Sequence, residues 1–212
     1  MSQIRFCKSS DGTRIAYSQD GRGPTMIEVA TWLNHVEYDW KSPIWKARLT
    51  ELTARYTLTR YDGCGCGLSD QNPRSLAFDD LVADLEAVVD AAGLNQFILL
   101  GCCQGGPVAI AYAARHPERV RHLVLYGAYS RRKLKRNPSP QDFDEAETML
   151  KLVELGWGRD NPAFRQVYTA LLIPDSRPEQ YGWFIDMQRM TRCGDSSVRM
   201  GPQRVPATSF WN

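Results

Sequence analysis

The chain has 212 residues, 43% of them hydrophobic and 24% charged, and a formal net charge of +2. That length and balance suit one well-buried globular domain, or one domain with a small cap. So small a charge argues against nucleic acid or a membrane surface as partner.

Met1 to Ser10 lacks the basic-then-apolar pattern of a secretory leader, and no run approaches the ~18 apolar residues of a membrane span. The expectation is therefore a cytoplasmic chain whose six cysteines stay reduced. Cys64 and Cys66 are too close in sequence for a comfortable bridge. No Cys/His group has zinc spacing, so neither a metal nor a cofactor is expected.

In chain order, Ile4 to Lys8 and Arg14 to Ser18 flank the turn signal Ser10-Asp11-Gly12-Thr13 and read as a hairpin. Met26 to Ala30 reads as a third strand. Residues 43 to 55 place Ile44, Trp45, Leu49 and Leu52 on one helical face. Tyr56 to Tyr61 is the next strand and runs into the glycine-rich Asp62-Gly63-Cys64-Gly65-Cys66-Gly67. Residues 78 to 92 form an amphipathic helix with Phe78, Leu81, Val82, Leu85, Val88 and Val89 inward, stopped by Gly93. Phe97 to Leu100 suits a buried central strand, residues 104 to 115 a helix, and Leu123 to Tyr126 another buried strand. Strand and helix in alternation predict parallel pairing with right-handed crossovers. The basic run Arg131 to Arg136 reads as a solvated loop face. Beyond it, residues 141 to 155, 162 to 172 and 178 to 190 read as helices, and 193 to 212 as an irregular tail. Residues 1 to 130 are thus read as the core and 131 to 192 as a helical cap.

Between the buried strand and its helix stands Gly101-Cys102-Cys103-Gln104-Gly105-Gly106. This is Gly-x-nucleophile-x-Gly with cysteine as the nucleophile. Side chains at the flanking glycines would collide with neighbouring strand and helix, and the nucleophile itself needs strained backbone angles. Such a turn lifts Cys103 above the sheet's carboxyl edge. The helix that follows aims its first amides at the same spot, which favours a thiolate and an anionic intermediate. The competing reading is a small buried hydrophobe. Cys102 is read as packing.

Together with Trp32-Leu33-Asn34-His35-Val36-Glu37-Tyr38-Asp39-Trp40, Arg60-Tyr61-Asp62, Gly65 to Asp70, Ala111 to Val120 and Leu155 to Asp160, this motif resembles the α/β-hydrolase superfamily. More narrowly, it resembles an esterase-like group carrying that aromatic-rich loop. The likeness covers roughly residues 4 to 190. Relatives of this group occur as stand-alone hydrolases and as domains of bacterial regulatory proteins. The resemblance implies a mostly parallel sheet with an N-terminal antiparallel hairpin and a helical cap. It also implies an oxyanion hole from the amides of Gln104 and of Trp32 or Leu33. Losing one such donor typically costs about 3 kcal/mol of transition-state stabilisation.

The chain departs from the family in three ways. Cysteine replaces the usual serine. Cys64 stands where arginine is usual, which would loosen the glycine-rich turn. No strand, acid and histidine follow in that order beyond Ile185, so the chain reads as an α/β-hydrolase fold lacking its last strands. Its histidines are His35, His116 and His122. His116 reads as a helix C-terminal cation and His122 as structural. His35 reads either as the working base for Cys103 or as a loop anchor, with Asp39 and Glu37 as nearby acids to orient it. A cysteine suits a weakened site, being intrinsically nucleophilic where serine without a base is nearly inert.

The expected activity is hydrolysis of a small ester or thioester through Cys103. Alternatives are a dienelactone-type lactone hydrolase and an inactive binding or sensory module. Trp157, Phe164, Tyr168, Trp183 and Phe184, with Trp32, read as an apolar acyl pocket or as cap core. Without later strands, Leu123 to Tyr126 becomes an open apolar edge, which predicts a homodimer or higher homo-oligomer.

Overall fold

The computed structural model describes residues 3–31, 33–72, 75–129, 137–156 and 161–191, with the side chains of 150 and 153–155 left aside. Six strands form one sheet: β1 (Arg5–Lys8), β2 (Arg14–Asp20), β3 (Thr25–Glu28), β4 (Thr57–Tyr61), β5 (Phe97–Cys102) and β6 (Val120–Tyr126). Their order across the sheet is β1-β2-β4-β3-β5-β6. The hairpin β1–β2 and the pair β2–β4 are antiparallel, while β3–β4, β3–β5 and β5–β6 are parallel. The expected mostly parallel sheet with an N-terminal hairpin is therefore present.

Parallel strands need helical crossovers, and both faces of the sheet are covered by them. On one face lie α2 (Phe78–Ala91) and α3 (Gly105–Arg115); on the other lies α1 (Lys46–Arg55). The period-two alternation of the strands assigns their side chains. Ile27 and Leu99 face Val82, Leu85, Val88 and Val108, all buried. Met26 and Leu100 face the opposite way, towards Leu49, Trp45 and Leu52. One expected inward residue does not pack: Phe78 is 42% exposed. It occupies the first position of α2, where the helix has not yet reached the sheet.

Beyond β6 the described residues hold only helices: α4 (Pro140–Gly156), α5 (Pro162–Leu172) and α6 (Pro178–Met190). Each begins with proline, whose fixed φ and missing N–H suit a first helical position. Asn161 also caps α5 by accepting the Phe164 amide at 3.2 Å. Among the described residues no helix is long and apolar enough to cross a membrane. The expected basic loop at 131–136 and tail at 193–212 lie outside the described residues.

Of the two expectations for Leu123 to Tyr126, a buried strand from its apolar run and an open apolar edge, the described residues show the edge. β6 pairs only with β5, and Leu123, Val124, Leu125 and Tyr126 are 39, 43, 45 and 74% exposed. It is an edge strand with no described neighbour on its far side.

Candidate active site

The chain runs from β3 to one neighbour, β4, and later returns to the other, β5. A sheet of this kind splits its crossovers at that point, leaving a crevice outside the carboxyl ends of the two strands. Cys103 leaves one side of that crevice and the loop after β3 leaves the other.

Cys103 takes φ 45° in the turn between β5 and α3, and its side chain is exposed. Left-handed backbone in a residue with a Cβ costs on the order of 1–3 kcal/mol and must be held by its surroundings. Here the Cys103 amide donates to the Tyr126 carbonyl at 3.0 Å, and its carbonyl accepts from Gly106 at 3.0 Å. The expected crowding at the glycines is present too. A Cβ on Gly101 would lie 2.8 Å from the Ala109 Cβ, and one on Gly105 would lie 3.1 Å from the Val29 carbonyl oxygen. Their absence lets α3 press on the ends of β3 and β5. Gln104, with φ −62° and ψ −27°, is the N-cap of α3, so its amide belongs to the unpaired first turn.

Cys102 points elsewhere. It is half-buried against the α1 face, and burial, with the Glu28 carboxylate beside it, pushes its thiol up to about 12. Glu28 is in turn paired with Arg48 at 2.8 Å. Cys102 therefore stays a neutral packing group.

The loop after β3 carries the aromatic-rich stretch. Trp32 lies outside the described residues; Leu33 is half-buried. His35 is 4% exposed, and its Nδ1 accepts the Tyr38 amide at 3.1 Å. An acceptor Nδ1 means that Nε2 carries the proton of the neutral ring. Burial also lowers the pKa of His35. Of the two roles left open for it, this geometry favours the anchor: the ring starts the 3-10 turn at Tyr38–Lys41. Asp39 does not orient it. That carboxylate is buried and bonded to Arg60 at 2.9 Å, and burial, against the pull of Arg60, raises it to about 6. Glu37 is exposed.

The other histidines are placed by topology. His116 follows α3, roughly 16 Å of helix from Cys103, and its Nε2 lies 2.8 Å from Glu86 while its ring rests on Tyr112. His122 pairs with Ile98, roughly 13 Å of strand before Tyr126. Neither reaches the crevice.

Arg60 and Asp62 are functional neighbours that the sequence marked only as part of a matching segment. Arg60 donates to the Val36 carbonyl at 2.6 Å. Asp62, fully buried, accepts from the Val36 amide (2.8 Å), the Asn34 side chain (3.0 Å) and the Leu68 amide (2.8 Å). The glycine-rich turn is itself closed by Gly65–Asp70, Cys66–Gly63 and Ser69–Cys66 backbone bonds, and the Cys64 amide donates to buried Asp84. The turn with Cys64 is thus held by backbone bonds and by Asp84.

Above the loop sits α6. Trp183, Phe184 and Met187 are buried against Leu33, Tyr38, Ile44 and Trp45, with Trp183 stacked on Tyr38 at 5.3 Å and 10°. Phe164 and Tyr168 of α5 stack on each other and are buried. Four of the five aromatics expected in a cap are therefore packed side chains. The fifth, Trp157, lies outside the described residues.

Comparison with known proteins agrees with this layout. The family model described as alpha/beta hydrolase fold matches residues 32–179. The chain is 34% identical over 123 residues to a mouse (Mus musculus) "(Lyso)-N-acylphosphatidylethanolamine lipase", covering 56% of this chain and 35% of the relative. It is 31% identical over 116 residues to the "Pyrrolizixenacetamide deacetylase" of Xenorhabdus hominickii, covering 55% and 42%. These matches span well under half of the relatives' length. Among solved structures, an esterase from Rhodococcus sp. superposes with a TM-score of 0.68 at 24% identity, covering 92% of this chain and 70% of that one. An esterase from Exiguobacterium antarcticum superposes with a TM-score of 0.71 at 20% identity, covering 99% and 74%. At those identities the superpositions speak for the fold alone.

Proposed function

The chain belongs to the alpha/beta-hydrolase fold family, and from that premise we propose that it hydrolyses small carboxylic esters or thioesters through Cys103. The observation that carries this reading is the exposed cysteine held at φ 45° over the switch point of the sheet. A strained backbone that lifts a nucleophilic atom into a crevice, at the start of a helix, suits acyl transfer.

In this reading Cys103 gives its proton to water, the thiolate sulfur attacks the carbonyl carbon, and the displaced π pair becomes an oxyanion. The Gln104 amide and that of Trp32 or Leu33 hold it. Collapse breaks the bond to the leaving group, which departs as an alkoxide or thiolate and takes a proton from water. The acyl group remains as a thioester on Cys103. Water then hydrolyses the thioester to the acid and restores the thiol.

His35 enters as a positioning residue for the oxyanion loop. Its ring lacks a free basic nitrogen as long as Nδ1 accepts the Tyr38 amide. With no assisting base among the described residues, turnover should depend on the leaving group, so activated aryl esters should outpace alkyl esters.

Hydrolysis of short p-nitrophenyl esters by the protein, Cys103→Ala and His35→Ala tests the reading. Cys103→Ala should abolish turnover. His35→Ala should lower it without moving the pH midpoint of the rate. Equal rates for the protein and Cys103→Ala would sink the enzyme reading and leave a binding module of the same fold. The exposed apolar edge of β6 supports a further part of the reading, that the chain works as a homodimer or higher homo-oligomer.

A further inference from the structure

An oxyanion hole of this design has one amide on α3 and the other on the loop after β3. The first is fixed by the helix. The second is only as well placed as its loop, and misplacement by about 1 Å can cost on the order of 100-fold in rate. What holds that loop is therefore part of the site, even at one remove from the substrate.

Two residues at the end of β4 hold it. Arg60 lies in β4 and Asp62 directly follows its last residue. They grip the same loop residue from both sides: Arg60 donates to the Val36 carbonyl at 2.6 Å, and Asp62 accepts the Val36 amide at 2.8 Å. The same Asp62 Oδ1 accepts the Asn34 side chain at 3.0 Å, and that amide also donates to the Tyr61 carbonyl at 2.7 Å. Asp62 Oδ2 accepts the Leu68 amide at 2.8 Å from the glycine-rich loop. One buried carboxylate thus ties two loops together. The tie also explains a glycine. Gly67 has φ 50°, and a Cβ there would overlap the Asp62 carboxyl group, so the loop closes over Asp62 only with glycine at this place.

We infer that Asp62 is the positioning residue of this site, setting the loop from Asn34 to Val36 and through it the backbone at Leu33, where the second oxyanion amide is proposed. The inference rests on the acyl-transfer reading for its effect on rate, but the tie itself is a matter of loop order and is measured separately. Both oxygens act as acceptors, which only the ionised carboxylate provides in full. An asparagine keeps the volume and one acceptor while placing an NH2 group against a donor.

The experiment compares the protein with Asp62→Asn by three readouts: p-nitrophenyl acetate turnover, alkylation of Cys103 by iodoacetamide, and amide exchange at residues 33–36 and 68. Alkylation uses the thiol but builds no oxyanion. Asp62→Asn should lower kcat/KM about 10- to 100-fold, change the alkylation rate less than about twofold, and quicken exchange in both loops. Because Asp62→Asn risks misfolding, Asn34→Ala serves as the milder variant. It removes one donor to the carboxylate and should give a loss of the same kind, about threefold. A parallel fall in turnover and alkylation would mean general structural damage and overturn the inference, as would unchanged turnover in an active protein. If the protein has no Cys103-dependent turnover, the acyl-transfer reading fails by itself. Exchange then decides the tie, and unchanged protection of Val36 and Leu68 in Asp62→Asn would refute it.

Discussion

Cys103 and Asp62 show two ways of holding an awkward group. Cys103 keeps a left-handed backbone because hydrogen bonds to Tyr126 and Gly106 clamp both ends of its peptide units. Asp62 keeps a carboxyl group in the interior because three donors surround it. Burial nonetheless raises it to about 7, outweighing those donors and the nearby Arg60, with Asp39 adding to the rise. An exposed aspartate titrates near ~3.9. Between the two values the folded chain holds a proton that the unfolded chain releases, so this group's contribution to stability falls as pH rises through about 7. Asp39, raised to about 6, acts in the same sense over a lower window. The melting temperature should therefore be higher at pH 6 than at pH 8, and Asp62→Asn should flatten the slope. A slope of the opposite sign, or one unchanged by Asp62→Asn, would show that the carboxyl group is not held as described. Catalytic order and stability pull in opposite directions here, since the ionised carboxylate is the better tie.

The elements divide by what they were built to cover. β3 and β5 place apolar side chains on both faces because helices lie on both, and their alternation sorts Ile27 and Leu99 from Met26 and Leu100. α2 reads correctly from Val82 to Val89 and fails at Phe78, since periodicity assigns a face but not how far along the helix the sheet extends. α6 packs on the loop after β3. Its docking rests on Trp183, Phe184 and Met187 meeting Leu33 and Tyr38 of that loop. Trp183→Ala should remove the stack on Tyr38 and destabilise the fold by about 3–5 kcal/mol, measured by urea unfolding. A loss under about 1 kcal/mol would show that α6 is not anchored by this side chain. Because the same residues flank the proposed oxyanion loop, α6 and the proposed hole share a support.

For the molecule as a whole, the open sheet edge among the described residues is β6. It pairs on one side only and exposes Leu123, Val124, Leu125 and Tyr126, with Arg121 as its one basic side chain besides His122 and neither proline nor lysine in the strand. Light scattering on the protein eluting from size exclusion should give a mass of two or more chains. Leu123→Lys with Leu125→Lys should shift it towards one. A single-chain mass for the unsubstituted protein would remove the proposed assembly.

The sequence alone determined the order of strands and helices, the N-terminal hairpin, the buried central strands and the place of Cys103 between two close-packing glycines. These are local properties: periodicity, turn chemistry and the space a Cβ needs. The tertiary structure decided matters of company. It turned His35 inward to cap a turn, gave Asp39 to Arg60, made Asp62 the meeting point of two loops and set His116 and His122 far from the crevice. The pairings of Asp39 with Arg60 and of Asp62 with Asn34 and Val36 leave no trace in spacing, because partners more than twenty residues apart are chosen by the sheet that brings them together. The same holds for exposure. An apolar strand looks identical in sequence whether it is central or at an edge, and only its neighbours settle which it is.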